Sequence, residues 1–287
     1  MSFHSLQESL YSSIRYLDQA GIQNPAMDAR LLVQWVTGTS LIDTIMHPGR
    51  LLSLEEQKNL TCALQRRRNR EPVHRILGER AFYGVDFILS PHTFEPRPDT
   101  ETLVDLVLPF LKEHACSKEF VNCLDLGTGC GAIAIALLVN VLSLHTIGID
   151  ISEDALLTAH LNAMRVGVED RLFLFKSDWL RSVSGIFDLI VSNPPYIPSG
   201  DIVTLDLSVR NFDPLLALNG GKDGLDFYRL LATHARRYLH PFTGKIAVEI
   251  GIQQKESVLR IFSQCGYHLE SMKTDLSGTE RALMFGQ

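Results

Sequence analysis

At 287 residues, with 45% hydrophobic and 21% charged side chains, the chain has the composition of a globular protein of one or two domains. Its net charge of −6 argues against DNA binding that ignores base sequence, and its apolar runs are too short to span a membrane. We find no secretion signal at the N-terminus, and five cysteines without a C-x-x-C pair argue against a disulfide framework or a zinc knuckle. We therefore expect a cytoplasmic protein.

Residues 1–72 predict a small helical bundle. Apolar residues recur at helical spacing from Leu6 to Leu17, a second helix ends at Gly38, and a third begins at the N-cap Ser53. The third helix ends in an arginine run, Arg66–Arg70. This run fits solvated cations at a helix C-terminus, and it also fits a contact surface for an acidic or RNA-associated partner.

Residues 73–95 predict a linker that contains a β-hairpin, because an alternating stretch has Gly84 at its centre. A stiff loop then carries Arg97 between two prolines, and Asp99 or Thr100 is expected to cap the next helix. We predict that residues 96–287 form the catalytic domain.

Strands alternate with helices from Val121 onward, which predicts a twisted, mostly parallel sheet of the α/β class. The last two strands are expected to form an antiparallel pair. The predicted strands are Val121–Leu126, His145–Ile149, Arg171–Lys176, Phe187–Ser192, Lys245–Ile250, Tyr267–Thr274 and Arg281–Gly286.

A glycine-rich turn follows the first of these strands and leads into a helix. Glycines permit a tight turn and let a ligand approach the backbone closely. The next strand ends at Asp150, where a carboxylate can accept the hydroxyls of a ribose. Spacing alone leaves open a dinucleotide enzyme, because the pattern G-x-G-x-x-G/A also fits. The residues of the turn are Gly127, Thr128, Gly129, Cys130 and Gly131.

A second motif, Asn193-Pro194-Pro195-Tyr196, follows the predicted strand Phe187–Ser192. Two prolines make the end of that strand stiff, and the Asn193 side chain and the Pro194 carbonyl each offer an oxygen acceptor. With the ring of Tyr196 they would suit a planar NH₂ group. Trp179 follows another strand and could stack on an adenine, although it also fits a core aromatic.

The Asn-Pro-Pro-Tyr motif resembles the signature of methyltransferases that use S-adenosylmethionine to methylate amide or exocyclic amino nitrogens. Together with Asp125 through Ile133, Pro96 through Glu101 and Pro214 through Gly224, it resembles the release factor glutamine methyltransferases, the PrmC/HemK family. The resemblance implies a class I methyltransferase fold, a Rossmann-like seven-stranded sheet with an N-terminal helical domain that docks the protein substrate. It also implies a monomer with peptide chain release factors as partners.

From the matching positions, the resemblance implies that the glycine turn, Asp150, Trp179 and Asn193 bind the cofactor. It implies that Asn193 through Tyr196 hold the substrate glutamine, with Asn193, Pro194 and Tyr196 acting in catalysis. Cys130 stands where the family often has Ser or Thr. A ribosomal-protein glutamine methyltransferase, a DNA adenine methyltransferase and a non-catalytic nucleotide-binding module are the alternatives. The second would need base flipping and a basic channel.

Overall fold

The computed structural model describes residues 4–287, which divide into two compact units. The first unit holds the residues up to Glu79 together with Asp206–Phe212, and the second holds Arg80–Leu205 and Asp213–Gln287. Within residues 4–287, no helix combines the length and the apolarity needed to cross a lipid bilayer.

The first unit is mainly helical, as its sequence predicts. Serine N-caps form capping boxes at the starts of three helices, with Ser5, Ser40 and Ser53 as the capping residues. Gly38 ends the second helix in the left-handed conformation. Two short helices were not predicted, because one or two turns carry too little periodicity to detect. The helices are α1 (Leu6–Gln19), α2 (Pro25–Thr37), α3 (Leu41–Met46), α4 (Leu54–Arg68) and α5 (Val73–Leu77).

The arginine run at the end of α4 is tied into the helical unit. Arg67 pairs with Asp28 of α2 at 2.6 Å, and Arg70 donates to the carbonyl of Gly21 at 2.8 Å. Arg66 pairs with Glu71 at 2.6 Å. Much of the run's hydrogen-bonding capacity is therefore used to hold α4 against its neighbours.

The second unit begins with the expected hairpin and continues as alternating strands and helices. The hairpin strands are β1 (Glu79–Phe82) and β2 (Val85–Ile88). The large sheet consists of β3 (Val121–Leu126), β4 (Leu144–Asp150), β5 (Leu172–Lys176), β6 (Leu189–Ser192), β7 (Lys245–Glu249), β8 (His268–Thr274) and β9 (Glu280–Gly286). The helices are α6 (Glu101–Ser117), α7 (Ala132–Asn140), α8 (Glu153–Val166), α9 (Leu207–Arg210, which falls in the first unit), α10 (Leu215–Leu218), α11 (Asp226–His234) and α12 (Lys255–Gln264).

The seven strands lie in the order β5-β4-β3-β6-β7-β9-β8. The pairs from β5 to β7 are parallel, and β9 is antiparallel to both β7 and β8. The chain builds β4 and β5 on one side of β3 and then crosses to place β6 on the other side. This reversal is a topological switch point, the place where open α/β sheets bind ligands.

Side chains of the sheet alternate between two buried layers. Cys123 and Leu189 face the layer that contains residues of α6 and α7, whereas Leu124 and Ile190 face the layer that contains residues of α11 and α12. Both faces are covered, so most side chains of β3, β6 and β7 are buried. Polar residues of this unit therefore stand out where strands end.

Candidate active site

The two motifs found in the sequence meet at the carboxyl edge of the sheet. β3 and β6 are parallel neighbours, with Asp125 opposite Val191. Their following loops therefore leave the sheet side by side. The hydroxyl of Ser192 donates to the carbonyl of Leu126 at 2.7 Å, which joins the end of β6 to the end of β3. The glycine turn and the Asn-Pro-Pro-Tyr segment begin one residue beyond this hydrogen bond.

The glycine turn is held by the end of β4. The backbone N–H groups of Gly127 and Thr128 both donate to the carbonyl of Ile149 at 2.9 Å. The hydroxyl of Thr128 donates to Asp125 Oδ2 at 2.7 Å. Asp125 is fully buried, and its burial raises the pKa of the carboxyl to about 7. These hydrogen bonds fix the conformation of the glycine turn.

Gly131 has a packing requirement beyond its backbone angle. Its φ is 84°, and an added Cβ would lie 2.9 Å from Ile135 and 3.2 Å from Ala159 of α8. Cys130 is buried, and its carbonyl accepts a hydrogen bond from Asn162 at 2.9 Å. The turn is thus fitted against two helices, and Cys130 contributes through its backbone.

Asp150 lies at the end of β4 and binds the turn directly. Its Oδ2 accepts from the N–H of Gly129, and its Oδ1 accepts from the N–H of Ser152, both at 2.9 Å. Partial burial raises the pKa of this carboxyl. A carboxylate oxygen has more than one lone pair, so each oxygen can accept a further donor such as a ribose hydroxyl.

Trp179 lies beside the glycine turn. A Cβ built on Gly127 would be 3.4 Å from the Trp179 ring, and the ring centroid is 4.3 Å from that of Phe227. Trp179 has a φ of 52°, which is uncommon for a bulky residue. The positive φ of Trp179 and the absence of a side chain at Gly127 together place the aromatic ring next to the turn.

The amide of Asn193 is oriented by a residue from the start of α6. Asn193 Nδ2 donates to Thr100 Oγ1 at 3.0 Å, across 93 positions of sequence. Of the two predicted capping residues, Thr100 occupies the N-cap position of α6, after a 3₁₀ turn, but its side chain makes no capping hydrogen bond. The Thr100 hydroxyl instead serves Asn193.

A second glycine-rich segment, residues 220–224, supports the backbone of the Asn-Pro-Pro-Tyr motif. Gly220 N–H donates to the carbonyl of Ile197 at 2.9 Å, and Gln254 donates from Nε2 to the carbonyl of Tyr196 at 2.8 Å. A Cβ on Gly224 would lie 2.2 Å from that same Tyr196 carbonyl. The motif is therefore packed against backbone on one side and Gln254 on another. Burial raises the pKa of the Tyr196 phenol, so it remains protonated.

Sequence reasoning missed a buried carboxyl, Glu249, which ends β7. It is 2% exposed, and burial raises its pKa to about 7 even though the neighbouring Thr100 and Asn193 oppose the shift. The signal was available, because Glu249 is a charged residue at the carboxyl end of a predicted strand.

Arg97, whose role the sequence left open, pairs with Asp213 at 2.6 Å and lies over the ring of Phe94.

Comparison with known proteins agrees with this architecture. Residues 8–78 match the PrmC N-terminal domain model, and residues 100–208 match the methyltransferase small domain model. The Agrobacterium fabrum release factor glutamine methyltransferase is 47% identical, over 98% of this chain and 97% of its own length. The Rhodospirillum rubrum protein of the same name is 44% identical, over 93% of this chain and 81% of its own length.

Among solved structures, the catalytic domain of human METTL16 has a similar fold. Its TM-score is 0.56 at 14% identity, and the match covers 88% of this chain and 91% of that domain.

The fold and the paired motifs at its switch point define a methyltransferase that depends on S-adenosylmethionine. The family-level prediction is also confirmed. With 47% identity across nearly the full length of a curated member, the chain belongs to the release factor glutamine methyltransferases.

Proposed function

We propose that this enzyme methylates the side-chain amide nitrogen of the glutamine in the Gly-Gly-Gln motif of peptide chain release factors. The observation that carries the proposal is the junction of β3 and β6. There the Ser192–Leu126 hydrogen bond places the Asn-Pro-Pro-Tyr segment next to the glycine turn. A substrate nitrogen held by the segment would thus lie close to a cofactor held by the turn.

The residues of the turn fit S-adenosylmethionine. The Trp179 ring lies beside Gly127, where it would stack on a flat group such as adenine, and Asp150 has lone pairs left for ribose hydroxyls. We assign cofactor binding to Gly127, Thr128, Gly129, Cys130, Gly131, Asp150, Trp179 and Asn193. When bound, the cofactor supplies an activated methyl group on a sulfonium.

The protein's contribution is to position a weak nucleophile. A carboxamide nitrogen donates its lone pair into the carbonyl, so it reacts poorly in free solution. Asn193 Oδ1 and the Pro194 carbonyl would accept its two N–H bonds, and Pro195 and Tyr196 would shape the pocket around the amide plane. These acceptors favour positive charge on the nitrogen as it forms a new bond. Orientation of this kind can lower a barrier by up to about 7–11 kcal/mol.

The proposal is tested by incubating the protein with labelled S-adenosylmethionine and one of three substrates: a release factor, ribosomal proteins, or adenine-containing DNA. We expect label on the release factor alone, and mass spectrometry should locate it on the glutamine. A release factor whose motif glutamine is replaced by alanine is the control and should stay unlabelled. Label on ribosomal protein or on DNA, with an unlabelled release factor, would refute the assignment.

The role of Asn193 is tested with Asn193→Ala. Removing one oriented acceptor should lower the single-turnover rate by about 100-fold or more. The affinity for the cofactor, measured by calorimetry, should change far less, because Asn193 is only one of eight residues assigned to the cofactor and the other seven are untouched. An unchanged rate would mean that Asn193 does not hold the reacting amide.

A further inference from the structure

Glu249 is a buried carboxyl close to the Asn-Pro-Pro-Tyr segment. It is the last residue of β7, beside the end of β6, and it is 2% exposed. A buried carboxylate is costly unless it is paired or hydrogen-bonded. Among residues 4–287 no cation forms an ion pair with it, and its Oε2 has no hydrogen-bond partner. Glu249 is therefore not half of a structural salt bridge.

The charged side chains near Glu249 either pair with other residues or affect it only by shifting its pKa. Arg281 on β9 donates to Asp275 at 2.9 Å and lies 3.4 Å from Asp99. Its positive charge lowers the pKa of Glu249, whereas the charge of Asp99 raises it. The phenols of Tyr196 and Tyr228 also face this carboxyl, and both are held protonated by burial.

Thr100 and Asn193 lie close enough to Glu249 for hydrogen bonding from their side chains to lower the pKa of its carboxyl. Asn193 Nδ2 donates one N–H to Thr100 Oγ1 at 3.0 Å. A threonine hydroxyl both donates and accepts, so Thr100 alone cannot determine which way the Asn193 amide points. An ionised carboxylate only accepts. If the Thr100 hydroxyl gives its proton to Glu249, its oxygen is left to accept from the Asn193 NH₂.

We propose that Glu249 is a positioning residue that sets the direction of this hydrogen-bond chain. With Glu249 as the terminal acceptor, the NH₂ of Asn193 turns inward and its Oδ1 is left for the substrate. With the amide flipped, an NH₂ would face the NH₂ of the substrate, and two donors would oppose each other. The inference rests on the proposed function, since it concerns how the acceptor for the glutamine nitrogen is oriented.

The test replaces Glu249 with glutamine, which has nearly the same shape but can donate as well as accept. Glu249→Gln should lower kcat for release factor methylation about 10- to 100-fold, the range for one charge-assisted hydrogen bond. KM for the release factor should change less than kcat, because the Asn193 amide is one contact among many with a protein substrate, and Kd for the cofactor should stay within about threefold, because the glycine turn and Asp150 are unaltered. Glu256→Gln, on the exposed side of α12, is the matched control and should behave as wild type.

Two further readouts separate positioning from a purely structural role. The wild-type kcat should rise with pH through an apparent pKa near 7, where Glu249 ionises, and Glu249→Gln should lose this limb. Thr100→Val should cause a defect like that of Glu249→Gln, and Thr100→Ser should restore activity. The Thr100→Val/Glu249→Gln double variant should add little to either single change, because both act through one chain.

The outcomes distinguish this inference from the proposed function. If the wild-type enzyme methylates the release factor and Glu249→Gln matches its kcat and pH profile, the positioning role is overturned. Full additivity in the double variant would overturn it too. If the wild-type enzyme leaves release factors unmethylated, the proposed function itself fails.

Discussion

Gly220 gives the sharpest test of how the Asn-Pro-Pro-Tyr segment is held. This buried glycine has no positive φ, so an alanine there suffers no backbone strain. An added Cβ would lie 2.7 Å from the Pro195 carbonyl oxygen and 2.9 Å from the Cα of Tyr196. These neighbours are backbone atoms, which cannot rotate away as the end of a side chain can. The motif must shift to make room for the methyl group.

The size of that shift sets the expected loss of activity. Ordinary contacts begin near 3.4 Å, so the Pro195 carbonyl must retreat by about 0.7 Å. A misplacement of about 1 Å at a reacting centre can cost on the order of 100-fold in rate. We expect Gly220→Ala to lower the single-turnover rate of methylation about 10- to 100-fold. Overpacking typically costs about 1–3 kcal/mol of stability, so the variant should remain folded.

The assay combines single-turnover methylation of a release factor with calorimetric titration of the cofactor. Cofactor Kd should stay within about threefold, because the atoms nearest to the added Cβ belong to Pro195, Tyr196 and Gly224 rather than to the glycine turn that follows β3. Gly200→Ala is the matched control, since Gly200 is exposed, has no positive φ and has no atom within 4 Å of an added Cβ. Equal rates for Gly220→Ala, Gly200→Ala and wild type would refute the claim that the motif needs this support.

Two other substitutions test the cofactor side. Asp150→Asn replaces one acceptor oxygen with a donor, so cofactor binding should weaken about 10- to 100-fold. The exposed Asp154→Asn is its control, and equal calorimetric affinities for the two variants would remove Asp150 from the site. Asp125 has a folded-state pKa of about 7 against an ordinary value of 3.8, so its ionisation destabilises the fold as pH rises toward 7. Asp125→Asn should therefore raise the free energy of unfolding, measured by chemical denaturation, by about 2–3 kcal/mol more at pH 8 than at pH 5. An equal effect at both pH values would show that the carboxyl does not titrate in this range.

Local signals were enough to find most of the second unit. The strand at Val121–Leu126 is mostly apolar and leads into a glycine-rich turn, and its predicted bounds match β3. The strand before Asn193 was also found, although β6 begins at Leu189 rather than Phe187. Parallel pairing follows from the alternation of strands with helices, and it places the ends of β3 and β6 at the same edge. The two motifs could thus be expected to meet.

Residues that act across long separations were missed. Thr100 was assigned to a helix cap because nothing near it in sequence reveals Asn193, 93 positions away. Gln254 and Gly220 contact the motif through loops whose path depends on the packing of other elements. The short helices α3 and α5 also went unpredicted, because stability in such segments comes from tertiary packing rather than from an internal pattern.

The amino-acid sequence by itself determined the alternating architecture, the glycine turn, the Asn-Pro-Pro-Tyr segment and the family to which the chain belongs. These features are encoded in neighbouring residues, where glycine, proline and apolar periodicity act locally. Only the tertiary structure decided that Glu249 is buried beside Thr100 and Asn193, and that Gly220 and Gln254 support the motif. The pKa of a carboxyl and the direction of an amide depend on what surrounds them, and distant parts of the chain supply those surroundings.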